Sequence, residues 1–330
     1  MKKIYDFDEN KRNLIFENAA REMKLSKTII EKDYWVCVVL DYLMNESKYK
    51  NCFIFKGGTS LSKCYGVINR FSEDVDLVLK WDTIGFTDED VYKTRSKNQD
   101  YIFETSMNSK GAEFVQNQLK KDLLENLVSR IKYLEILYNP EDPMTLYVKY
   151  SGSNENGYIS SSVKLEIGPV ASKTPTENKT IRPYCCDYFD PCDEDYFDVE
   201  TVSIARSFWE KLLILYAECQ RPFDKRMPSR YSRHYYDVYM IYKSKYFPSI
   251  ISDKNLFYEV KKFKSKYYRT SWSKIEMCSL DTICIVPSKE RKAELESDYR
   301  KMGEMIFGNK PSLEEIVSGL KDLESELRNI

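Results

Sequence analysis

The sequence predicts an α+β (mixed α/β) protein, with a mixed sheet flanked by helices over residues 1–182 and an all-helical domain over residues 183–330. Short runs of β-branched and aromatic residues, which are typical of strands, occur mostly in the first domain. From Ser203 onward, apolar residues recur with the three-to-four-residue period of helices. A polar, proline-containing stretch over residues 168–183 indicates the boundary.

The first domain is predicted to begin with two helices within residues 10–48. The aromatic and β-branched run from Asn51 to Phe55 then predicts a strand. Residues 56–60 contain two glycines and form a predicted turn, which can open a helix at Leu61.

Five further elements follow from the spacing of apolar residues. Asp74 to Leu79 reads as a strand, and Lys110 to Tyr138 has helical periodicity. Leu146 to Tyr150 and Ser160 to Ile167 alternate like strands, with the polar loop from Ser151 to Gly157 as their hairpin connection. An amphipathic helix is predicted from Pro311 to Asn329, near the end of the chain.

Charge and composition exclude several classes of protein. The chain has 51 basic and 52 acidic residues, which excludes a wholly basic nucleic-acid coat but allows a local basic face. Residues 201–275 hold sixteen basic and six acidic side chains and could supply that face. No apolar run approaches the ~20 residues that span a bilayer, and the N-terminus lacks a signal-peptide pattern. We therefore expect a cytoplasmic protein without membrane contact.

Histidine and cysteine usage limits the possible metal sites. The single histidine, His234, excludes a multi-histidine site. Nine scattered cysteines without an export signal indicate reduced thiols. Cys185, Cys186 and Cys192 could bind a soft metal, but buried or surface thiols are the favoured interpretation.

The segment from Phe55 to Leu79 carries the pattern with the clearest chemistry. Gly57 and Gly58 allow positive φ and a close approach of the backbone to a ligand. A helix that follows directly would point free N–H groups at an anion. Thr59 or Ser60 adds a hydroxyl donor, so the turn suits a phosphate group.

Acidic residues at alternate strand positions suggest a cation beside that turn. Asp74 and Asp76 share one face of a predicted strand, and Mg²⁺ is commonly held by one or two carboxylates plus substrate phosphates. The later strand can offer Glu166 as a third acid, with Lys164 on the same face, which would allow a two-metal arrangement. Either signal alone could be an ordinary turn or a solvated strand face; the combination favours a metal-dependent nucleotide site.

Several motifs along the chain resemble those of one toxin family. They are EKDYWV (31–36), KGGTSLSK (56–63), RFSEDVDL (70–77), FWEKL (208–212) and RYSRHYYDVY (230–239). The sequence is similar to the AbiEii/AbiGii toxins, which belong to the DNA polymerase β-type nucleotidyltransferase superfamily. The resemblance covers nearly the whole chain.

The resemblance implies an N-terminal nucleotidyltransferase domain that uses an NTP and Mg²⁺ (or Mn²⁺). Members of the family are toxins of bacterial toxin–antitoxin and phage-defence systems, and characterised relatives add nucleotides to the 3′ end of tRNA and stop translation. The resemblance therefore implies a tRNA acceptor and a cognate antitoxin, often a winged-helix repressor encoded beside the toxin.

Individual residues take their expected roles from the same resemblance. Asp74 and Asp76 match the metal-binding pair, Gly58 and Ser60 match the phosphate loop, and Glu166 stands where the family often has an aspartate. Two further positions match catalytic residues of the helical domain: Lys211 and Asp237. Within the matching motifs, three more residues are counted as candidate nucleotide ligands: Lys63, Arg70 and Ser72.

The residues of the helical domain also allow ordinary structural roles. Lys211 flanks an apolar stripe, where it could be solvated or could neutralise phosphate charge. If their segment is helical, Arg230, Arg233 and Asp237 share one face, so Arg233 could bind a triphosphate or could simply pair with Asp237 at i,i+4. His234 could act as a base, but helix packing is the favoured interpretation.

Basic and aromatic residues interleave over residues 261–274, a pattern that suits unpaired RNA. The candidate contacts are Lys262, Lys264, Lys266 and Arg269. The alternative is a solvated helix face with the aromatic rings turned inward. The acidic run over residues 183–200 is interpreted as a solvated loop, with an RNA-mimicking latch or an antitoxin-docking strip as alternatives.

The combined interpretation is a metal-dependent toxin that transfers NMP from an NTP to an acceptor hydroxyl, with the 3′ end of tRNA as the expected target. Two alternatives stay open. The enzyme could nucleotidylate or phosphorylate a protein hydroxyl, or the chain could be a nucleotide-binding regulatory protein without turnover. The Asp74 and Asp76 pair argues against the last alternative.

Overall fold

The computed structural model describes residues 3–72, 74–151, 160–189 and 195–330, which form two compact units. The first unit comprises Met1–Cys64 and Ser72–Val202, and the second comprises Tyr65–Phe71 and Ser203–Ile330. The chain therefore leaves the first unit after Cys64 for seven residues before it returns.

The first unit is built around a seven-stranded mixed sheet, as predicted. Its strands are β1 (Phe53–Lys56), β2 (Asp74–Leu79), β3 (Leu134–Asn139), β4 (Asp142–Tyr150), β5 (Ser162–Gly168), β6 (Thr176–Ile181) and β7 (Phe197–Val202). Their order across the sheet is β3-β4-β5-β2-β1-β7-β6. The β2–β5 and β1–β7 pairs are parallel and the other pairs are antiparallel. The predicted 146–167 hairpin is confirmed by the antiparallel β4–β5 pair, although its loop residues 152–159 lie outside the described residues.

The α-helices in the described part of this unit are α1 (Glu9–Met23), α2 (Lys27–Asp41), α3 (Gly57–Lys63), α4 (Asp88–Tyr92), α5 (Lys97–Phe114) and α6 (Lys120–Asp122). The two helices predicted within residues 10–48 are confirmed by α1 and α2. The Ser26 side chain caps α2 by accepting a hydrogen bond from the Ile29 amide. Helix α2 is buried along most of its length, and Trp35 stacks on Tyr150 of β4 with ring centroids 5.5 Å apart.

The helix predicted over Lys110 to Tyr138 is wrong at its C-terminal end. Helical turns continue only to Val128, and Leu134–Asn139 forms β3, which pairs with β4. Leu134 is spaced like a helical residue, but a strand partner is available to the backbone that follows it, and pairing overrides local periodicity. Helix α3 likewise begins at Gly57, four residues before its predicted start at Leu61.

The first compact unit extends along the chain to Val202, beyond the boundary predicted after residue 182. Strand β6 lies within the polar stretch 168–183, which the sequence predicts as the domain boundary, and it pairs with β7. Strand β7 in turn pairs with β1, so the sheet retains the chain as far as Val202. The end of the acidic run is therefore strand rather than loop, while residues 190–194 of that run lie outside the described residues.

The second unit is helical, as predicted: α7 (Ile204–Cys219), α8 (Ser232–Tyr242), α9 (Phe247–Ser252), α10 (Lys254–Tyr267), α11 (Lys292–Met302) and α12 (Leu313–Arg328). Trp209 of α7 packs edge-on against Phe257 of α10 in its core. The predicted C-terminal amphipathic helix is confirmed by α12, which buries Ile316, Leu320 and Leu323.

Two composition-based expectations can be compared with the described ranges. None of the helices described is long and apolar enough to cross a membrane. The eight cysteines within these ranges, including Cys185 and Cys186, are free thiols. Cys192, the third member of the alternative soft-metal cluster, lies outside the described residues.

Candidate functional site

The junction between β1 and α3 lies directly against β2. The antiparallel register places Asp76 opposite Lys56, the residue before Gly57. Gly57 has φ +81°, and a Cβ built on it would lie 1.8 Å from Oδ2 of Asp76. Only glycine therefore lets the chain turn into α3 this close to the carboxylate.

Asp74 and Asp76 lie on one face of β2, as the alternation predicts. Val75 and Leu77 point the other way and are fully buried, whereas both aspartates are half-buried. The packing of β2 is therefore carried by the apolar residues, and the carboxylates are left on the face that carries Gly57. Two hard oxygen ligands in this position fit a divalent cation.

The hydroxyl groups of the turn bind protein backbone. Thr59 Oγ1 donates to the carbonyl oxygen of Asp74 at 2.6 Å, and Ser60 Oγ donates to that of Gly57 at 3.1 Å. Both side chains are buried. Thr59 thus fastens the turn to β2, and Ser72 also offers its carbonyl oxygen to Thr59 at 3.4 Å. These contacts favour structural roles for the two hydroxyls.

Strand β5 brings the predicted third acid beside the aspartates. Its parallel register places Lys164 next to Asp74 and Glu166 next to Asp76. The Lys164 ammonium, however, forms an ion pair with the Glu166 carboxylate. Burial opposes the charge on Lys164, but the contacts with Glu166 and the nearby Asp74 raise the pKa of the ammonium.

The predicted three-acid metal site is not assembled in this structure. In the part of the chain described, no three His, Cys, Asp or Glu side chains are grouped so that they could hold a metal ion. The Glu166 carboxylate is instead paired with Lys164. Asp74 and Asp76 share one face of β2, and Lys164 lies next to Asp74 on β5.

Lys63, a candidate nucleotide ligand, lies in the interior of the first unit. Its ammonium pairs with Asp33 of α2 at 2.8 Å and lies 3.7 Å from the centre of the Tyr184 ring. Burial opposes this charge, but Asp33 raises the pKa of Lys63 above its usual value. Because both partners of the ion pair are buried, the placement favours a role in anchoring α3 over direct contact with a nucleotide.

A buried charge cluster lies in the second unit. Arg70 binds Asp237 through two hydrogen bonds, Nε to Oδ1 at 2.7 Å and Nη2 to Oδ2 at 2.8 Å. Lys211 of α7 contacts Oδ2 of the same carboxylate at 2.9 Å. Burial opposes ionisation of Asp237, but the two cations outweigh it and hold the pKa of this carboxyl well below its usual range.

This cluster differs from the local pairing that sequence spacing allowed. Asp237 is bound by Arg70 and Lys211, rather than by Arg233 one helical turn away. His234 of the same helix is buried, and its Nδ1 has no hydrogen-bond partner among the described residues. Burial, followed by the nearby Lys211 and Arg233, lowers the pKa of His234 well below its usual value. A neutral ring packed edge-on against Tyr231 agrees with the packing interpretation.

The basic stretch 261–274, which covers the end of α10 and the residues after it, has both exposed and buried side chains. Phe263, Tyr267 and Lys264 are buried, and the Lys264 ammonium lies 5.1 Å from the centre of the Tyr268 ring. Lys262 and Arg269 are exposed. Lys266 is half-buried, so two of the four predicted RNA contacts lie at the exposed surface, where Arg269 Nε donates to the carbonyl oxygen of Ser265 at 3.1 Å.

Comparison of the sequence with known protein families gives a match over most of the chain. The model of the family described as nucleotidyl transferase AbiEii toxin, of type IV toxin–antitoxin systems, matches residues 39–322. The chain belongs to the AbiEii family. The resemblance inferred from the motifs is thereby confirmed, and the family is one of nucleotidyltransferase toxins.

Two solved structures match this AbiEii family member. MenT4, a nucleotidyltransferase toxin from Mycobacterium tuberculosis H37Rv, has a TM-score of 0.55 and 15% identity, covering 96% of this chain and 89% of that chain. A putative nucleotidyltransferase from H. pylori has a TM-score of 0.40 and 15% identity, covering 98% and 96%. No curated protein matches. The similarity to MenT4 confirms the mixed α/β fold class.

Replacing Gly57 by alanine should disrupt the site without deleting any functional group. The new Cβ would collide with Oδ2 of Asp76, and the positive φ would add about 1–2 kcal/mol of strain. We expect the free energy of unfolding to fall by about 1–3 kcal/mol and nucleotide transfer to fall by roughly 100-fold. Urea denaturation and a transfer assay measure the two effects.

Gly66 provides the matched control for this substitution. It also has a positive φ of +61°, but nothing lies within 4 Å of a Cβ built there. Gly66→Ala should therefore show the strain without the collision. Equal losses of transfer in both variants would contradict a special role for the contact between Gly57 and Asp76.

Proposed function

We propose that this toxin transfers NMP from an NTP to the 3′ hydroxyl of tRNA and thereby blocks translation. The observation that carries the proposal is the pair of carboxylates, Asp74 and Asp76, on one face of β2 with the Gly57 backbone against Asp76. A second support is family membership, since AbiEii proteins are nucleotidyltransferase toxins.

Asp74 and Asp76 are the proposed ligands of Mg²⁺ (or Mn²⁺). Carboxylate oxygens on one strand face are the donor set that such hard cations prefer. The bound cation would supply charge neutralisation at the triphosphate and a lower pKa for the attacking hydroxyl.

The remaining residues of the first unit position the NTP in this proposal. The backbone at Gly57 and Gly58 approaches the phosphates, while Lys164 adds positive charge on the face that carries Asp74. The acceptor hydroxyl gives up its proton to solvent as its oxygen attacks the α-phosphorus in line and forms the new P–O bond. The bond from the α-phosphorus to the α,β-bridging oxygen breaks in the same displacement, and pyrophosphate leaves with its electron pair.

The exposed residues of the basic stretch 261–274 support an RNA acceptor. Lys262, Arg269 and the half-exposed Tyr268 ring combine positive charge with a stacking surface. Such surfaces bind single-stranded ends through phosphate neutralisation and stacking. The 3′ end of tRNA has this chemistry.

Removing the two exposed charges should weaken tRNA binding and reduce its salt dependence. For Lys262→Gln/Arg269→Gln, we expect a roughly tenfold higher Kd, with the slope of log K against log salt smaller by about 1.4. Titrations of labelled tRNA at salt concentrations from about 50 to about 200 mM measure the Kd and the salt slope. The matched control is Arg300→Gln/Lys301→Gln, which removes two exposed cations from α11. An equal change in the control would contradict a specific contact of tRNA with Lys262 and Arg269.

An antitoxin partner follows from membership of a toxin–antitoxin family. We propose that it is a winged-helix repressor encoded beside the toxin and that the toxin acts in the cytoplasm, where tRNA is found. Sequencing the flanking DNA tests the first part. Rescue of toxin-expressing cells by a neighbouring gene of a different fold would contradict it.

The transfer of nucleotide to tRNA can be tested directly. The purified protein is incubated with total tRNA, Mg²⁺ and each α-labelled NTP in turn, and RNA is then separated from protein. We expect label on intact tRNA, and none on tRNA whose terminal diol has been oxidised with periodate. Label on protein instead would indicate a protein acceptor, and equal labelling of oxidised tRNA would contradict transfer to the 3′ hydroxyl.

A further inference from the structure

A groove in the second unit lies outside the residues assigned to nucleotide or RNA. It has a volume of about 590 Å³ and is lined by eleven residues of α11, α12 and the segment before α11. Its walls include Pro287, Leu295, Leu313 and Val317. The volume falls within the range of about 300–1,000 Å³ typical of small-molecule sites.

The described lining of this groove carries more positive than negative charge. Lys289, Lys292 and Lys321 are exposed lysines of the lining, and Glu314 is the one acidic side chain among the lining residues that the structure describes. The ion pairs found among the described residues involve none of these three lysines. Three ammonium groups beside an apolar wall complement a ligand that has a hydrophobic body and a negative head.

The type of side chain narrows the chemistry further. Among the residues that the structure describes, the lining has no aromatic ring on which a nucleobase could stack. Its apolar atoms are aliphatic, and its lysines act as point charges that suit a compact anionic head such as a carboxylate. Eleven residues are also fewer than the 20–30 a side that a standard protein interface uses. A nucleotide or a folded partner therefore fits poorly.

We propose that this groove binds a free single-chain aliphatic carboxylate of medium length. The aliphatic chain of the ligand would lie along Leu295, Leu313 and Val317, and its carboxylate would lie near Lys292 and Lys321. This site is separate from the nucleotidyl-transfer proposal, because none of its lining residues is assigned a role there.

Binding is tested on the full chain with octanoate, decanoate and dodecanoate, by calorimetry and by displacement of 1-anilinonaphthalene-8-sulfonate. Each pair of added methylenes should tighten binding by about tenfold, since apolar burial grows with chain length. Val317→Asp places a carboxylate in the half-buried wall and should weaken decanoate binding by at least about tenfold. Lys292→Gln/Lys321→Gln, on exposed positions, should weaken it similarly without affecting the fold.

The Arg300→Gln/Lys301→Gln protein is the control and should bind decanoate like wild type, because neither residue lines the groove. Decyltrimethylammonium should bind more weakly than decanoate. Affinity that is independent of chain length, or unchanged in both groove variants, would overturn the proposal. Binding to phosphatidylglycerol vesicles without binding of free decanoate would also overturn it, since the groove would then contact a membrane surface.

Discussion

Replacing both Asp74 and Asp76 by alanine is expected to reduce nucleotide transfer by at least about a thousandfold. The substitution removes both proposed metal ligands, so no carboxylate of β2 would remain to hold the cation against the triphosphate. The fold should survive, because Val75 and Leu77 carry the packing of this strand. Circular dichroism, urea denaturation and the labelled transfer assay measure these outcomes, and expression in cells should no longer be toxic.

Asp82→Ala provides a matched control for that experiment. Asp82 is an exposed aspartate three residues after the end of β2, in the same compact unit. We expect it to transfer nucleotide like wild type. Undiminished transfer in the folded Asp74→Ala/Asp76→Ala protein would remove the basis of the proposed mechanism.

Asp237→Ala is expected to destabilise the protein by about 3–5 kcal/mol, because it leaves Arg70 and Lys211 near each other without their shared counter-charge. The carboxylate is fully buried, and the side chains of Arg70 and Lys211 are 5% and 12% exposed. Urea denaturation measures the loss. Combining Asp237→Ala with Arg70→Met should restore part of the stability, since one of the orphaned cations is then removed. Strictly additive losses would contradict the coupling.

The same cluster predicts a pH dependence of stability. The folded-state pKa of Asp237 lies below its unfolded value, so its contribution is complete above the ordinary aspartate pKa of about 3.9. The contribution falls as pH drops below that value towards the folded-state pKa. The difference in unfolding free energy between wild type and Asp237→Asn should therefore be constant from about pH 8 to 5 and shrink below about pH 4. A difference that grows on acidification would contradict this assignment.

The geometry around Asp74 and Asp76 could be predicted from the sequence because it depends on local rules. Strand alternation places the two carboxylates on one face, and adjacent glycines permit a sharp turn. The helical periodicity of α12 likewise predicts its buried face. In each case, the residues that decide the structure lie within a few positions of one another.

Long-range contacts explain what could not be predicted. Arg70 and Asp237 are 167 positions apart, and Lys63 pairs with Asp33 thirty positions away. From sequence spacing, the partner that could be predicted for Asp237 was the local residue Arg233. Lys63 could be placed only beside the turn that suits a phosphate group. The pairing of Glu166 with Lys164 was within reach of the sequence, since both lie on one face of a strand, but the choice between ion pair and metal ligand depends on the folded site.

The position of the label in the NTP tests the central claim most directly. Wild-type protein, tRNA and Mg²⁺ are incubated in parallel with α-labelled and γ-labelled preparations of the same NTP. Nucleotidyl transfer predicts label on tRNA from the α-labelled NTP alone, with the γ-label recovered as pyrophosphate. Label transferred from the γ-position would show phosphoryl transfer and contradict the proposed reaction.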